Sequence, residues 1–168
     1  MDRRTHQDGA EPDAAPLAPP LEVARWFNVT TPPTQADLVG RVVALHVFQL
    51  LCPGCVFHGL PQAQRLARIF PSDALQVIGL HSVFEHHDAM TDVVLEAFLH
   101  ENRISFPVAV DRPDGKGGLP ATMRRWGFRG TPTLVLIDRQ GRIRHHGFGQ
   151  EDDLAVGAAI GALLAEGP

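Results

Sequence analysis

The sequence has few cysteines, no excess of positive charge and no long hydrophobic run. Only two of its 168 residues are cysteine, so no other pair competes with these two. Lys and Arg number 15 against 19 Asp and Glu, and the net charge of −4 gives no support for binding to nucleic acid or to an anionic membrane surface. The apolar segment at residues 154–165 is well short of the ~20 residues that a membrane-spanning helix needs.

The N-terminal residues lack the features of an export signal. Residues 1–8 are polar and lead into Pro- and Ala-rich sequence without the apolar core of a secretory signal. We therefore expect a cytoplasmic protein, in which a CxxC pair is more often catalytic or metal-binding than a structural disulfide. Residues 1–20 contain four prolines among Asp, Glu and Ala, which predicts a flexible tail. Residues 21–168 are predicted to form one domain.

The two cysteines lie in Cys52-Pro53-Gly54-Cys55, after an apolar run at residues 42–51 and before a helix-compatible segment at residues 56–70. At the start of a helix, unpaired backbone N–H groups and the positive end of the dipole favour a thiolate over a thiol. Cys52 is placed to gain this stabilisation. Cys55, one turn later, is placed to attack a mixed disulfide formed at Cys52.

Strand-like and helix-like segments alternate along the rest of the chain, which predicts an α/β domain. The apolar residues 42–48 are typical of a central parallel strand, and Pro61 is expected to kink the helix after the CxxC. Further strands are predicted at residues 74–80, 106–110, 133–138 and 142–146, and helices at residues 92–102, 121–126 and from about residue 153.

This order of elements resembles the thioredoxin-like fold, a central mixed β-sheet flanked by helices with a CxxC at the N-terminus of the first core helix. The resemblance rests on the CxxC, on Pro61 and on Gly130-Thr131-Pro132-Thr133. Residues 37–43 and 134–141 are similar to the lead-in and hairpin of the TlpA/ResA-like branch, which is related to the redoxins and AhpC/TSA peroxiredoxins.

The resemblance implies a thiol-disulfide oxidoreductase with Cys52 as the nucleophile and Cys55 as the resolving cysteine. It also implies a cis peptide bond before Pro132, with the Thr131 backbone pairing with an extended substrate. Pro53 and Gly54 complete the predicted substrate-binding residues.

His46 is the third predicted catalytic residue. It lies six residues before Cys52, where thioredoxins place a buried acid that helps to deprotonate the resolving cysteine. An imidazole with an ordinary pKa near ~6.5 accepts a proton at neutral pH, so His46 is a candidate base for Cys55. His58 is an alternative base, and an ordinary buried or half-exposed histidine is the other interpretation of either residue.

A second polar group, at residues 81–88, contains His81, Glu85, His86, His87 and Asp88. It follows a predicted strand at the sheet edge where ligands usually bind. It is interpreted as a metal site, a wall facing the substrate or a solvated loop. Its spacing matches no zinc pattern, so we predict no metal and no cofactor.

Three functions remain open from the sequence. The first is a thiol-disulfide oxidoreductase that acts on protein or small-molecule disulfides with an unidentified reductant, as a monomer or weak dimer without nucleic acid or membrane partners. The second is a peroxiredoxin-like thiol peroxidase, although Leu45 and Gln49 stand where peroxiredoxins have proline and threonine. The third is a metal carrier that uses the CxxC and the histidines.

Overall fold

The computed structural model describes residues 15–167, in which six strands form a single sheet. The strands are β1 (Val23–Phe27), β2 (Val42–Phe48), β3 (Leu75–His81), β4 (Val108–Asp111), β5 (Thr133–Ile137) and β6 (Ile143–Phe148). Their order in the sheet is β1-β4-β3-β2-β5-β6. β2 is parallel to β3 and antiparallel to β5, so the sheet is mixed, as the sequence predicts.

The helices cover both faces of this sheet, and β2 lies between the two resulting cores. All seven residues of β2 are buried. The helices are α1 (Gln35–Leu38), α2 (Leu60–Ile69), α3 (Asp92–Glu101), α4 (Ala121–Trp126) and α5 (Asp153–Ala165). Since successive strand residues point to opposite faces, Ala44 and Phe48 pack in one core with residues of α2 and α5, and Leu45 packs in the other with residues of α4.

The predicted strands and helices are all present, with bounds shifted by one or two residues. The division into a tail at residues 1–20 and a domain at residues 21–168 stays a prediction. Residues 1–14 lie outside the described part, but the Pro16 carbonyl accepts the Ile143 N–H and the Ala18 N–H donates to Gly141. Residues 16–18 therefore contact the β5–β6 hairpin. Within residues 15–167, none of the helices has the length and apolar character needed to cross a bilayer.

A buried carboxylate fixes the position of α4. Asp111, the last residue of β4, is 3% exposed and accepts the backbone N–H groups of Thr122 and Met123 at 2.8 and 2.9 Å. The Ser82 hydroxyl, just beyond β3, also donates to it. Because Pro120 offers no side-chain cap, Asp111 satisfies the first turn of α4 from a neighbouring strand. It thereby ties the sheet to the helix that precedes the Thr131–Pro132 segment.

We predict that Asp111→Ala lowers the free energy of unfolding by about 2–5 kcal/mol, because it leaves two buried N–H donors without partners. Urea unfolding followed by circular dichroism measures this change. Asp73→Ala, which removes an exposed carboxylate, is the control and should change stability by less than about 0.5 kcal/mol. Equal stabilities of the two variants would show that the contacts of Asp111 are not structural.

Candidate active site

Cys52 and Cys55 lie at the start of the long helical segment after β2, and a disulfide with a Cα–Cα distance of 5.2 Å joins them. The Cys55 N–H points at Cys52 Sγ, 3.2 Å away. The sulfur therefore occupies the place of a capping oxygen, three residues before the N–H that it accepts. After reduction, the same N–H and the helix dipole stabilise a thiolate at Cys52.

A widened helical turn separates this start from α2. Over Cys55–Gly59 the backbone forms a π turn, in which the Leu60 N–H bonds to the Cys55 carbonyl. Pro61 follows immediately and has no N–H to give to the preceding turn. The helix irregularity expected at Pro61 is thus present as a π turn. Such turns are often found at functional sites.

The peptide bond between Thr131 and Pro132 is cis, and this proline faces the cysteines, as the resemblance implies. The Thr131 carbonyl oxygen lies 3.5 Å from Cys52 Sγ. A methyl group built on Gly54 would lie 3.1 Å from Pro132 Cδ, and one on Gly59 would lie 3.2 Å from Pro132 Cβ. The two glycines therefore let the proline ring rest against both ends of the turn that carries Cys55.

The structure brings His46 and His58 to the walls of one cavity behind Pro132. His46 is 3% exposed, and burial lowers its pKa to about 4. The expected pKa near ~6.5 does not hold, because the sequence cannot show how completely the ring is desolvated. His46 is neutral at pH 7 and is a weaker base than an exposed imidazole. Its catalytic role stays a prediction.

The histidine-containing loop divides into a buried and an exposed part. His81 is 1% exposed, packs against the Phe48 ring at a centroid distance of 5.2 Å, and has its pKa lowered to about 4 by burial. Glu85, His86, His87 and Asp88 are exposed. Among the residues that the structure describes, no three His, Cys, Asp or Glu side chains converge in a way that could hold a metal ion.

Several polar residues of the cavity were missed from the sequence, namely Gln62, Arg65, Glu151 and Asp153. Gln62 donates to Asp153 Oδ1 at 2.9 Å, and Arg65 pairs with Asp153 Oδ2 at 2.7 Å. These residues come from α2 and from the start of α5, about 90 positions apart, and no local spacing connects them.

A CxxC at the start of a helix, facing a cis-proline that immediately precedes an inner strand of a mixed sheet, defines a redox-active protein of the thioredoxin class. Two solved structures are similar over nearly the whole chain. A thioredoxin-like superfamily protein is 53% identical, with a TM-score of 0.87, and the match covers 90% of this chain and 97% of that one. A thiol-disulfide isomerase from Corynebacterium glutamicum is 51% identical, with a TM-score of 0.87 and coverages of 92% and 99%.

Curated relatives are more distant. The thiol:disulfide interchange protein DsbE of Allochromatium vinosum is 29% identical over 119 residues, which are 71% of this chain and 58% of that protein. The NHL repeat-containing protein 2 of Homo sapiens is 30% identical over 158 residues, and the chain spans 20% of its length. No profile of a known protein family matches the sequence.

The chain belongs to the thioredoxin-like superfamily. The expected kinship with the TlpA/ResA-like branch and the predicted enzyme class, a thiol-disulfide oxidoreductase, are confirmed by these homologues. The AhpC/TSA relationship stays a prediction.

The two buried histidines should make stability depend on pH. Their pKa values are lower in the folded than in the unfolded state, so the unfolded state binds protons first as the pH falls below ~6.5. We predict a loss of stability between about pH 6.5 and pH 4, of up to about 3 kcal/mol for each histidine, since one pKa unit corresponds to ~1.36 kcal/mol.

Urea unfolding at pH 7 and pH 4.5 measures this loss. His81→Phe, which keeps a ring against Phe48 but cannot titrate, should reduce the difference in stability between the two pH values by up to about 3 kcal/mol. The control, His100→Gln, replaces an exposed histidine and should leave the difference unchanged. An undiminished difference in His81→Phe would exclude His81 as a source of the pH dependence.

Proposed function

We propose that the chain exchanges disulfides through a mixed-disulfide intermediate between Cys52 and its substrate. The Cys52 thiolate attacks a substrate disulfide, forms one S–S bond and releases one substrate sulfur as a thiolate. The Cys55 thiol then loses its proton, and its sulfur attacks Cys52 Sγ. The Cys52–Cys55 disulfide forms, and the second substrate sulfur leaves with the electron pair. The substrate is reduced by two electrons and the protein is oxidised.

The unequal burial of the two sulfurs carries this assignment of roles. Cys55 is 0% exposed, whereas Cys52 is only partly buried beside the Thr131–Pro132 segment. A protein substrate reaches Cys52 alone, so Cys52 is the nucleophile and Cys55 resolves the intermediate. The Cys55 N–H at 3.2 Å from Cys52 Sγ supports the same order, because it stabilises negative charge on Cys52.

The substrate that fits this site is an extended polypeptide with a disulfide or a cysteine. Thr131 and Pro132 are partly exposed next to Cys52, and Pro53 and Gly54, which follow Cys52 in the chain, are exposed and partly exposed. The similarity to a thiol-disulfide isomerase and a thiol:disulfide interchange protein supports a protein substrate. The reductant is unidentified, and the cytoplasmic location and the monomeric or weakly dimeric state remain predictions from the sequence.

The peroxidase alternative has less support. Leu45 and Gln49, which stand where peroxiredoxins have proline and threonine, are both buried. The Gln49 side chain is used inside the protein, because its oxygen accepts the Phe84 N–H at 3.2 Å. Neither residue is placed to polarise a peroxide at Cys52.

The two cysteine variants should behave differently. Cys52→Ser should reduce disulfide exchange to the rate of the uncatalysed reaction, since no accessible thiolate remains. Cys55→Ser should accumulate a mixed disulfide, because the resolving thiol is absent. Non-reducing electrophoresis and mass spectrometry detect this adduct, and treatment with a reductant should remove it. Turnover by Cys52→Ser at the wild-type rate would contradict the assignment.

A comparison of oxidants separates the two enzyme classes. We expect the fully reduced protein to be oxidised much faster by a small disulfide than by hydrogen peroxide at the same concentration. Acid quenching at timed intervals, followed by mass spectrometry of the Cys52–Cys55 disulfide, follows both reactions. Cys52→Ser gives the background for each oxidant. A peroxide rate far above that of an ordinary thiol would favour the peroxidase instead.

A further inference from the structure

An exposed arginine and an exposed phenylalanine lie together beside the Thr131–Pro132 segment. Arg129 comes two residues before Thr131, and its guanidinium carbon lies 5.6 Å from the centroid of the Phe148 ring. Arg129 is exposed, and Phe148, the last residue of β6, is 51% exposed. A guanidinium at this distance over a ring makes a cation–π contact. The disulfide exchange proposed above uses neither side chain.

Contacts with the cis-proline segment fix the place of the phenylalanine ring. Phe148 pairs with Thr133 in the β5–β6 ladder. The next N–H, that of Gly149, donates to the Pro132 carbonyl at 2.8 Å. A methyl group built on Gly130 would lie 2.9 Å from Phe148 Cε2, so the ring lies directly against the Gly130 backbone. The ring is therefore held next to the residues that a substrate contacts, and it orients the guanidinium that packs on it.

The charge of Arg129 is available to a ligand. Among the residues that the structure describes, no carboxylate oxygen lies within 4.0 Å of its guanidinium. Arg125, four positions earlier, is different, because it pairs with Glu22 at 3.2 Å. A planar guanidinium that is already oriented loses less conformational entropy when it pairs with a carboxylate. Arg129 is thus prepared to bind an acidic group.

A polypeptide that reacts with Cys52 passes close to this arginine. The Thr131 carbonyl oxygen lies 3.5 Å from Cys52 Sγ. Because a chain spans at most about 3.6 Å per residue, Arg129 is no more than about 7 Å along the backbone from Thr131. An extended substrate has the same rise per residue, and its alternate side chains share one face. Side chains about two positions from the reacting cysteine therefore lie near Arg129.

We propose that Arg129 selects polypeptide substrates with an acidic side chain about two positions from the reacting cysteine, and that Phe148 orients its guanidinium. This inference rests on the proposed function of Cys52. The substrate carboxylate pairs with Arg129 while the Cys52 thiolate attacks the substrate sulfur. Arg129 is thus a specificity-determining residue, and Phe148 is a positioning residue.

The test uses synthetic peptides with blocked ends, each with one cysteine joined to a chromogenic aromatic thiol in a mixed disulfide. The Cys52 thiolate of the reduced protein attacks the peptide sulfur and forms a disulfide with it. The bond to the aromatic sulfur breaks, and the aromatic thiolate leaves with the electron pair, because the thiol of lower pKa leaves faster. Stopped-flow absorbance measures this release. The peptides differ only two positions before and two positions after the cysteine, where they carry glutamate, glutamine, lysine or phenylalanine.

We expect the protein at low salt to react at least about threefold faster with the glutamate peptide than with the glutamine peptide, within the range of a single exposed ion pair. The lysine peptide should react more slowly than both. Salt at about 1 M should remove most of the preference, because it screens the pair. Arg129→Gln should bring the glutamate-to-glutamine ratio of rates close to one, and Arg129→Glu should favour the lysine peptide.

Two further variants separate the roles of the ring and of the charge. Phe148→Leu should lower the glutamate-to-glutamine ratio but leave it above one, because the guanidinium stays in place without the ring that orients it. The matched control is Arg125→Gln, which removes an equal charge from the same stretch of chain. Arg125 pairs with Glu22, just before β1 at the opposite edge of the sheet from β6, so this variant should keep the wild-type ratio.

A ratio near one in the wild-type protein, an unchanged ratio in Arg129→Gln, or an equal loss in Arg125→Gln would overturn the role of Arg129. Fastest reaction with the phenylalanine peptide would also overturn it, because the ring and not the charge would then be the contact. An unchanged ratio in Phe148→Leu would overturn the positioning role of Phe148. If no peptide released the aromatic thiolate faster with wild-type protein than with Cys52→Ser, the proposed function itself would be contradicted.

Discussion

The packing of the Pro132 ring against the backbone at Gly54 and Gly59 is the contact on which the site depends. It joins two segments far apart in sequence, the CxxC turn and the start of β5, at distances at which a side chain on either glycine would crowd the proline ring. The Thr131 carbonyl is thereby held near Cys52 Sγ, and the cavity behind the proline is closed on the cysteine side. The Asp111 contacts that fix α4 support the approach to the same segment.

The two sulfurs differ in burial, and this difference gives them different chemical roles. Cys52 has an N–H donor, the positive end of a helix and access to solvent, three conditions that favour a reactive thiolate. Cys55 lies in the apolar core, where burial opposes charge. One cysteine is therefore ready to attack, and the other needs a base at the moment of resolution.

The sequence predicted the CxxC at the helix start, the cis-proline and the order of elements because each depends on local patterns or on a family resemblance. It did not predict the environment of His46, since desolvation depends on packing from α2 and α5. The positions of Glu151 and Arg65 at the cavity were not predicted for the same reason. The two residues are far apart in sequence and line the same cavity only in the folded chain. The contacts of residues 16–18 with the β5–β6 hairpin were not predicted either, since proline-rich composition does not show where a segment packs.

The exchange of a buried acid for His46 has an electrostatic consequence. A carboxylate behind the resolving cysteine brings negative charge that opposes thiolate formation but attracts the released proton. A neutral imidazole in the same place removes that repulsion, yet with a pKa of about 4 it cannot store the proton. His46 therefore stays a neutral group behind the resolving cysteine at pH values well above 4.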